Sequence, residues 1–162
     1  MFTQLGDMPE PVSNAEINDR QRALFSKFDN GDLLILCASP ETIHSNDVHH
    51  PYRTQSNLLY LSGWTEPDAV MCSINNNGRW ETHLFVQPKD TLKEIWEGRR
   101  PGVEGAVENW PVDYAHSVDE LQAKLADFIA QSSKIMHRMG IMPEVDDLVV
   151  KAIKKRDRAR QR

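Results

Sequence analysis

The pattern of apolar and polar positions divides the chain into short elements of two periodicities. Leu33 to Ala38, LLILCA, is an unbroken apolar run too short for a helix. It predicts a strand buried on both faces, the kind found in sheets covered by helices on each side. Ala69 to Ile74 predicts a second strand. Asn75-Asn76-Asn77-Gly78 is a hairpin signal, and Trp80 to Val86 is the return strand. Lys134 to Met139 is a short strand candidate.

Helical spacing fills much of the rest. Ser13 followed by Glu16 is a capping box that opens a helix running to about Phe28, with Ile17, Leu24 and Phe28 on one face and Asn30-Gly31 as its stop. Ser117 with Glu120 is a second capping box. Behind it, Val118, Leu121, Leu125, Phe128 and Ile129 recur at helical spacing. Pro143 precedes a last helix with Val145, Leu148, Val149, Ala152 and Ile153 on one side. Residues 1–12 are expected to be extended, 39–51 a polar loop, and 87–117 irregular with three prolines. The order predicts an α/β fold, a mixed β-sheet with helices on both faces.

Composition changes this picture little. The 162 residues suit one domain. No apolar run approaches a membrane span, and the N-terminus MFTQLGDMPEPVS lacks a basic start and apolar core, so a cytoplasmic chain without a membrane partner is expected. Charge is more informative. Lys151 to Arg162 holds seven of the 19 basic residues and one of the 24 acids, which leaves residues 1–150 with a net of −11. Such a surface disfavours nucleic acid, and the basic tail reads as a helix end or a linker. Cys37 and Cys72 sit in apolar runs without C-x-x-C spacing, as buried reduced thiols do.

The densest stretch is Pro51 to Val70, PYRTQSNLLYLSGWTEPDAV. Arg53, Gln55, Ser56 and Asn57 crowd hydrogen-bonding groups ahead of Leu58 to Leu61, which reads as a short strand or turn and must be buried. Gly63 permits a turn, and Glu66-Pro67-Asp68 suits another before the strand at Ala69. Arg53, Gln55, Asn57 and Tyr60 are read as tying the loop to the sheet through buried hydrogen bonds, in preference to forming a binding surface.

Motif chemistry is mostly excluded. His44, Asp47, His49 and His50 lie close in sequence, but adjacent residues of an extended loop point to different sides, and no His-Glu-x-x-His or Cys/His cluster is present; no metal site is expected. There is no Gly-x-Ser-x-Gly elbow and neither cysteine has an evident His partner. Gly98, Gly102 and Gly105 follow no strand and end in no Lys-Ser/Thr, so they fail as a phosphate loop. Arg99 and Arg100 are expected to pair with carboxylates, and Trp96 to be a core or interface anchor.

The stretch from Tyr52 resembles the signature of the N-terminal domain of Xaa-Pro aminopeptidase (aminopeptidase P), within the creatinase/prolidase family. That pattern is approximately Tyr-Arg-Gln-x-Ser-x-Phe-x-Tyr-x-x-Gly, then Glu-Pro-x-Ala. Tyr52, Arg53, Ser56, Tyr60, Gly63, Glu66, Pro67 and Ala69 fit it, with Thr54 where the family usually has Gln and Gln55 one place late. A second match is Glu94-Ile95-Trp96-Glu97-Gly98-Arg99-Arg100, then Gly102, Gly105 and Ala106.

The resemblance covers nearly the whole chain but only the front part of such an enzyme. It implies an α/β domain over residues 1–155, with 156–162 starting a linker to a C-terminal pita-bread metallopeptidase domain. There two divalent ions, usually manganese, would be held by Asp, His and Glu ligands beyond Arg162 and would activate a bridging water. It implies a homo-oligomer, dimer or tetramer, acting on peptides with proline second. Trp96 would reach a neighbouring subunit's cleft and wall the substrate pocket, with Asp47 a loop acid near the same cleft. This chain alone is expected to be inactive. Two alternatives are an N-terminal domain of a prolidase, since Trp-x-Gly occurs in both, and a stand-alone ligand- or protein-binding domain reusing the fold.

Overall fold

The computed structural model describes residues 11–41, 43–45, 48–49 and 52–162, with 43–45 and 48–49 as backbone alone. In chain order the elements are α1 (Asn14–Phe25), β1 (Asp32–Cys37), β2 (Ile43–Ser45), β3 (Val48–His49), α2 (Ser56–Ser62), β4 (Val70–Asn76), β5 (Arg79–Val86), α3 (Thr91–Glu97), α4 (Gly102–Asn109), β6 (Tyr114–Ser117), α5 (Leu121–Gln131), β7 (Lys134–His137) and α6 (Pro143–Arg160).

Five strands form one sheet in the order β6-β5-β4-β1-β7. The two inner pairings, β1 with β4 and β4 with β5, are antiparallel; the outer strands β6 and β7 join in parallel. Every residue of β1 is buried, because the sheet is covered on both faces. Leu34, Leu36 and Ala38 pack with Phe25, Leu58, Leu61, Trp64 and Ala106 on the face covered by α1, α2 and α4. Leu33, Ile35 and Cys37 pack with Leu121, Leu125, Ile129, Val145 and Val149 on the face covered by α5 and α6. The expected mixed sheet between two helical layers is the observed fold. Burial pushes the Cys37 thiol up to about 12, with a smaller push from Asp146, so it stays protonated.

Several elements depart from the expectations. α1 ends at Phe25, and its buried stripe is Ile17, Gln21 and Phe25; Leu24 and Phe28 are half-buried. Phe25 stacks on Trp80 at 4.2 Å, and buried Gln21 donates to the Leu61 and Pro111 carbonyls, so a polar residue holds a core position. Gly31 lies beyond the helix end, in the turn into β1, where Ser133 N donates to its carbonyl.

Leu58 to Leu61 is neither strand nor turn but the middle of α2. The 87–117 segment is less irregular than expected and contains α3, α4 and β6. The polar loop holds the two short strands β2 and β3, which pair with each other. The Ser117–Glu120 capping box is present and starts a 3-10 turn, Val118–Glu120, that runs into α5. At the N-terminus of α6, Asp146 accepts from His137 Nε2 at 2.7 Å and from Gly140 N at 2.8 Å, joining β7 to the helix.

Candidate functional site

The two motifs singled out in the sequence build one buried anchor and one exposed platform. The anchor is α2. Gln55 Oε1 accepts from Asn57 N at 2.8 Å and Leu58 N at 3.1 Å, capping the helix start. Gly63, at φ 72°, closes its end: its N–H donates to Leu59 O and its carbonyl accepts from Trp110 Nε1 at 3.2 Å. Leu58, Leu61 and Ser62 point into the core. Tyr52 donates its hydroxyl to Ser39 O at 2.7 Å, tying the loop end to the segment after β1.

The other signature residues do not lie where expected. Arg53, Ser56, Asn57 and Tyr60 are exposed. Among the described residues Arg53 bonds Ser56 Oγ, at 3.5 Å. The Arg20 guanidinium lies 4.3 Å from the Tyr60 ring centroid and also pairs with Glu16. The reading of this cluster as buried ties to the sheet therefore fails: Arg53, Asn57 and Tyr60 are exposed, and Gln55 is buried but bonds the start of its own helix. Gln55 alone is a buried polar anchor, because its side chain turns back onto its own helix. Once the segment is helical, three- and four-residue spacing puts Ser56, Asn57 and Tyr60 on the wet side.

The platform is the excursion between β5 and β6. Asp90 Oδ1 caps α3 by accepting from Leu92 N and Lys93 N, and Gly98 ends it at φ 91°. Arg100 folds back across the excursion. Its backbone N–H donates to Glu94 Oε1 at 2.7 Å, and its guanidinium bonds Glu97 Oε2 at 2.5 Å and Pro88 O at 3.5 Å. Arg100 thus pairs with carboxylates as expected, while Arg99 stays exposed.

No residue of α3 is buried. Leu92 is 75% exposed, Ile95 72% and Trp96 88%, and their spacing puts them in one stripe. Trp96 is therefore no core anchor. Sequence reasoning singled out Trp96 but missed Leu92 and Ile95; their i, i+3, i+4 spacing was the available signal. Asp47 and His50 lie outside the described residues, as do the side chains of His44 and His49. Among the described residues no group of three or more His, Cys, Asp or Glu is placed to hold a metal ion.

The family profile for the aminopeptidase P N-terminal domain matches residues 17–137. The chain belongs to that family. It is 32% identical to Xaa-Pro aminopeptidase of Escherichia coli over 148 residues, covering 89% of this chain and 33% of the relative. Proline aminopeptidase P II from Yersinia pestis superposes with a TM-score of 0.83 at 33% identity, covering 89% of this chain and 33% of that one. A zinc-substituted Escherichia coli aminopeptidase P in complex with product superposes with a TM-score of 0.86 at 31% identity, over 94% of this chain and 35% of that one. The chain thus spans about a third of the length of the relatives it matches. As an aminopeptidase P N-terminal domain it has the sheet and both helical layers in place. No helix among the described residues is long and apolar enough to cross a membrane.

Proposed function

We propose that this chain serves as the non-catalytic N-terminal domain of a manganese-dependent Xaa-Pro aminopeptidase, which removes the residue preceding a proline at position two. Its work there is to assemble subunits and to shape the cleft so that short peptides with a free N-terminus enter. The observation that carries this reading is the α3 stripe. Leu92, Ile95 and Trp96 present contiguous apolar surface to water on a braced platform, an arrangement that marks an interaction site. Tryptophan, here the most exposed residue of that stripe, is among the residue types most enriched in interface hot spots. In this reading Trp96 reaches the cleft of a neighbouring subunit of a dimer or tetramer, with Asp47 near the same cleft.

The residues described here do not fit the family's metal centre, since none of them gather into a ligand set. The reading assigns the two ions to the catalytic domain downstream, with residues 156–162 leading toward it. Bound there, such ions lower the pKa of a water and polarise the scissile carbonyl. Within this chain α6 remains helical up to Arg160, and Arg160 donates to Ser132 O at 2.8 Å. The reading places the protein in the cytoplasm.

The test is hydrolysis of a Xaa-Pro-Xaa peptide with manganese, by this chain and by the chain extended through its downstream reading frame. Cleavage by the extended protein only is expected, with Trp96→Ala in that protein lowering kcat/KM and weakening subunit association. Cleavage by the 162 residues alone would overturn the reading.

A further inference from the structure

β6 is the outermost strand of its edge and only four residues long, and a stack of rings holds one of its faces. In the parallel β5–β6 register His83 sits opposite Tyr114, and Phe85 opposite His116. The rings of Tyr114, His83 and His116 are nearly parallel: His83 lies 4.8 Å from Tyr114 at 19° and 5.2 Å from His116 at 15°. Phe128 of α5 packs on His83 at 4.7 Å, and Phe85 on His116 at 5.0 Å. Within this stack His83 Nδ1 and His116 Nε2 are 2.9 Å apart.

That contact needs one donor and one acceptor. A neutral pair supplies both, and so does a pair sharing one extra proton. With both rings protonated, two N–H groups face each other and the bond is lost. His83 is 8% exposed, and among the described residues its Nε2 has no hydrogen-bond partner; Glu81 Oε2 is 3.7 Å away. The other groups facing the pair are Lys124 of α5, Glu120 of the turn before it, and the Tyr114 phenol. Burial pushes both imidazoles below their ordinary range. His116 and Lys124 add to this at His83, against Glu81; Lys124 adds to it at His116, against Glu120.

We propose that the His83–His116 pair is a proton-operated clamp that holds β6 on the sheet when neutral and releases it when both rings are charged. Released with β6 is the excursion from β5, because α4 packs on β5 and β6 and α3 lies in the same loop. The clamp stands on the geometry of the pair and does not depend on the peptidase reading. Its sign follows from linkage. Unfolded histidines titrate near about 6.5, and the folded pair titrates lower, so the folded state binds fewer protons in between. The stabilisation is present above the unfolded value and is lost as pH falls through the folded values. The two steps belong to the pair, not to either ring.

The experiment is amide hydrogen exchange on the 162-residue chain at pH values from neutral to mildly acid, with imidazole titration by NMR. His116→Asn keeps a donor and an acceptor but cannot titrate. In the wild type, protection of Ala115 to Ser117, corrected for intrinsic exchange, should fall as pH drops through the pair's titrations, by about tenfold for each unit by which the two are together depressed, while Val70 to Ile74 in β4 hold theirs. His116→Asn removes the second protonation, so the release step should vanish and only the shallower dependence from His83 should remain. Lys124→Ala, which leaves the bond intact, should raise both titrations and move the release to higher pH, and it carries the test if the Asn variant does not fold. The proposal is overturned if β6 and β4 lose protection together, if Lys124→Ala moves nothing, or if both histidines titrate at their ordinary value.

Discussion

α2 and α3 are local twins with opposite fates. Each is seven residues long, each is capped at its start by a side chain that accepts from two backbone N–H groups, and each ends on a glycine with positive φ. Both lie in stretches that carry the family resemblance. Yet α2 buries Leu58, Leu61 and Ser62, and α3 buries nothing. A helix this short is marginal by itself. α2 persists because α1 and the sheet cover its apolar side; α3 is braced by Arg100 at its ends and keeps its apolar side in water. Caps decide where a helix starts and stops. What its apolar residues meet is decided elsewhere.

The sharpest test of the contrast is a pair of truncations. Leu58→Ala should cost about 2–5 kcal/mol of stability by urea denaturation, the range for large-to-small changes in a packed core. Trp96→Ala, though it deletes a larger side chain, should leave the midpoint within about 0.5 kcal/mol. Equal losses would erase the distinction between anchor and platform.

Next come the two glycines. A Cβ on Gly63 would lie 2.8 Å from Ile17 Cδ1, whereas one on Gly98 would meet nothing within 4 Å. Gly63→Ala should therefore lower global stability by about 1–3 kcal/mol, from strain and crowding together. At Gly98 the strain is relieved by fraying the last turn of α3, so Gly98→Ala should speed amide exchange there and leave the denaturation midpoint nearly unmoved.

The smallest effects separate the caps. Gln55→Ala should lower the global midpoint by about 1 kcal/mol. Asp90→Ala should reduce helical signal without shifting the midpoint, because unwinding α3 exposes no core. A midpoint shift for Asp90→Ala as large as that for Gln55→Ala would mean that α3 is coupled to the core after all.

These contrasts also show what was legible in the sequence. The LLILCA run was readable as a doubly covered strand because both of its faces are apolar. The Asn-Gly hairpin and the Ser117 cap were readable because their chemistry is local. α2 was misread because its cap is a glutamine, not one of the usual capping residues, and because four adjacent apolar-rich positions show no period. Gln21 was passed over because polar residues seldom occupy a core stripe; it does so here by meeting two carbonyls that the fold brings from 40 and 90 residues away. β6 was hidden because YAHS has neither strand length nor apolar alternation, and its ring partners come from β5 and α5.

The sequence by itself determined the class of fold, most of the element order and the family, since these rest on periodicity, caps and two motifs read in order. The tertiary structure alone decided which side of α2 and α3 is wet. It left Arg53, Asn57 and Tyr60 on the surface, set Leu92, Ile95 and Trp96 out in water, and brought His83 against His116. The physical reason is that burial belongs to pairs of elements, and the partners here are separated by tens of residues along the chain.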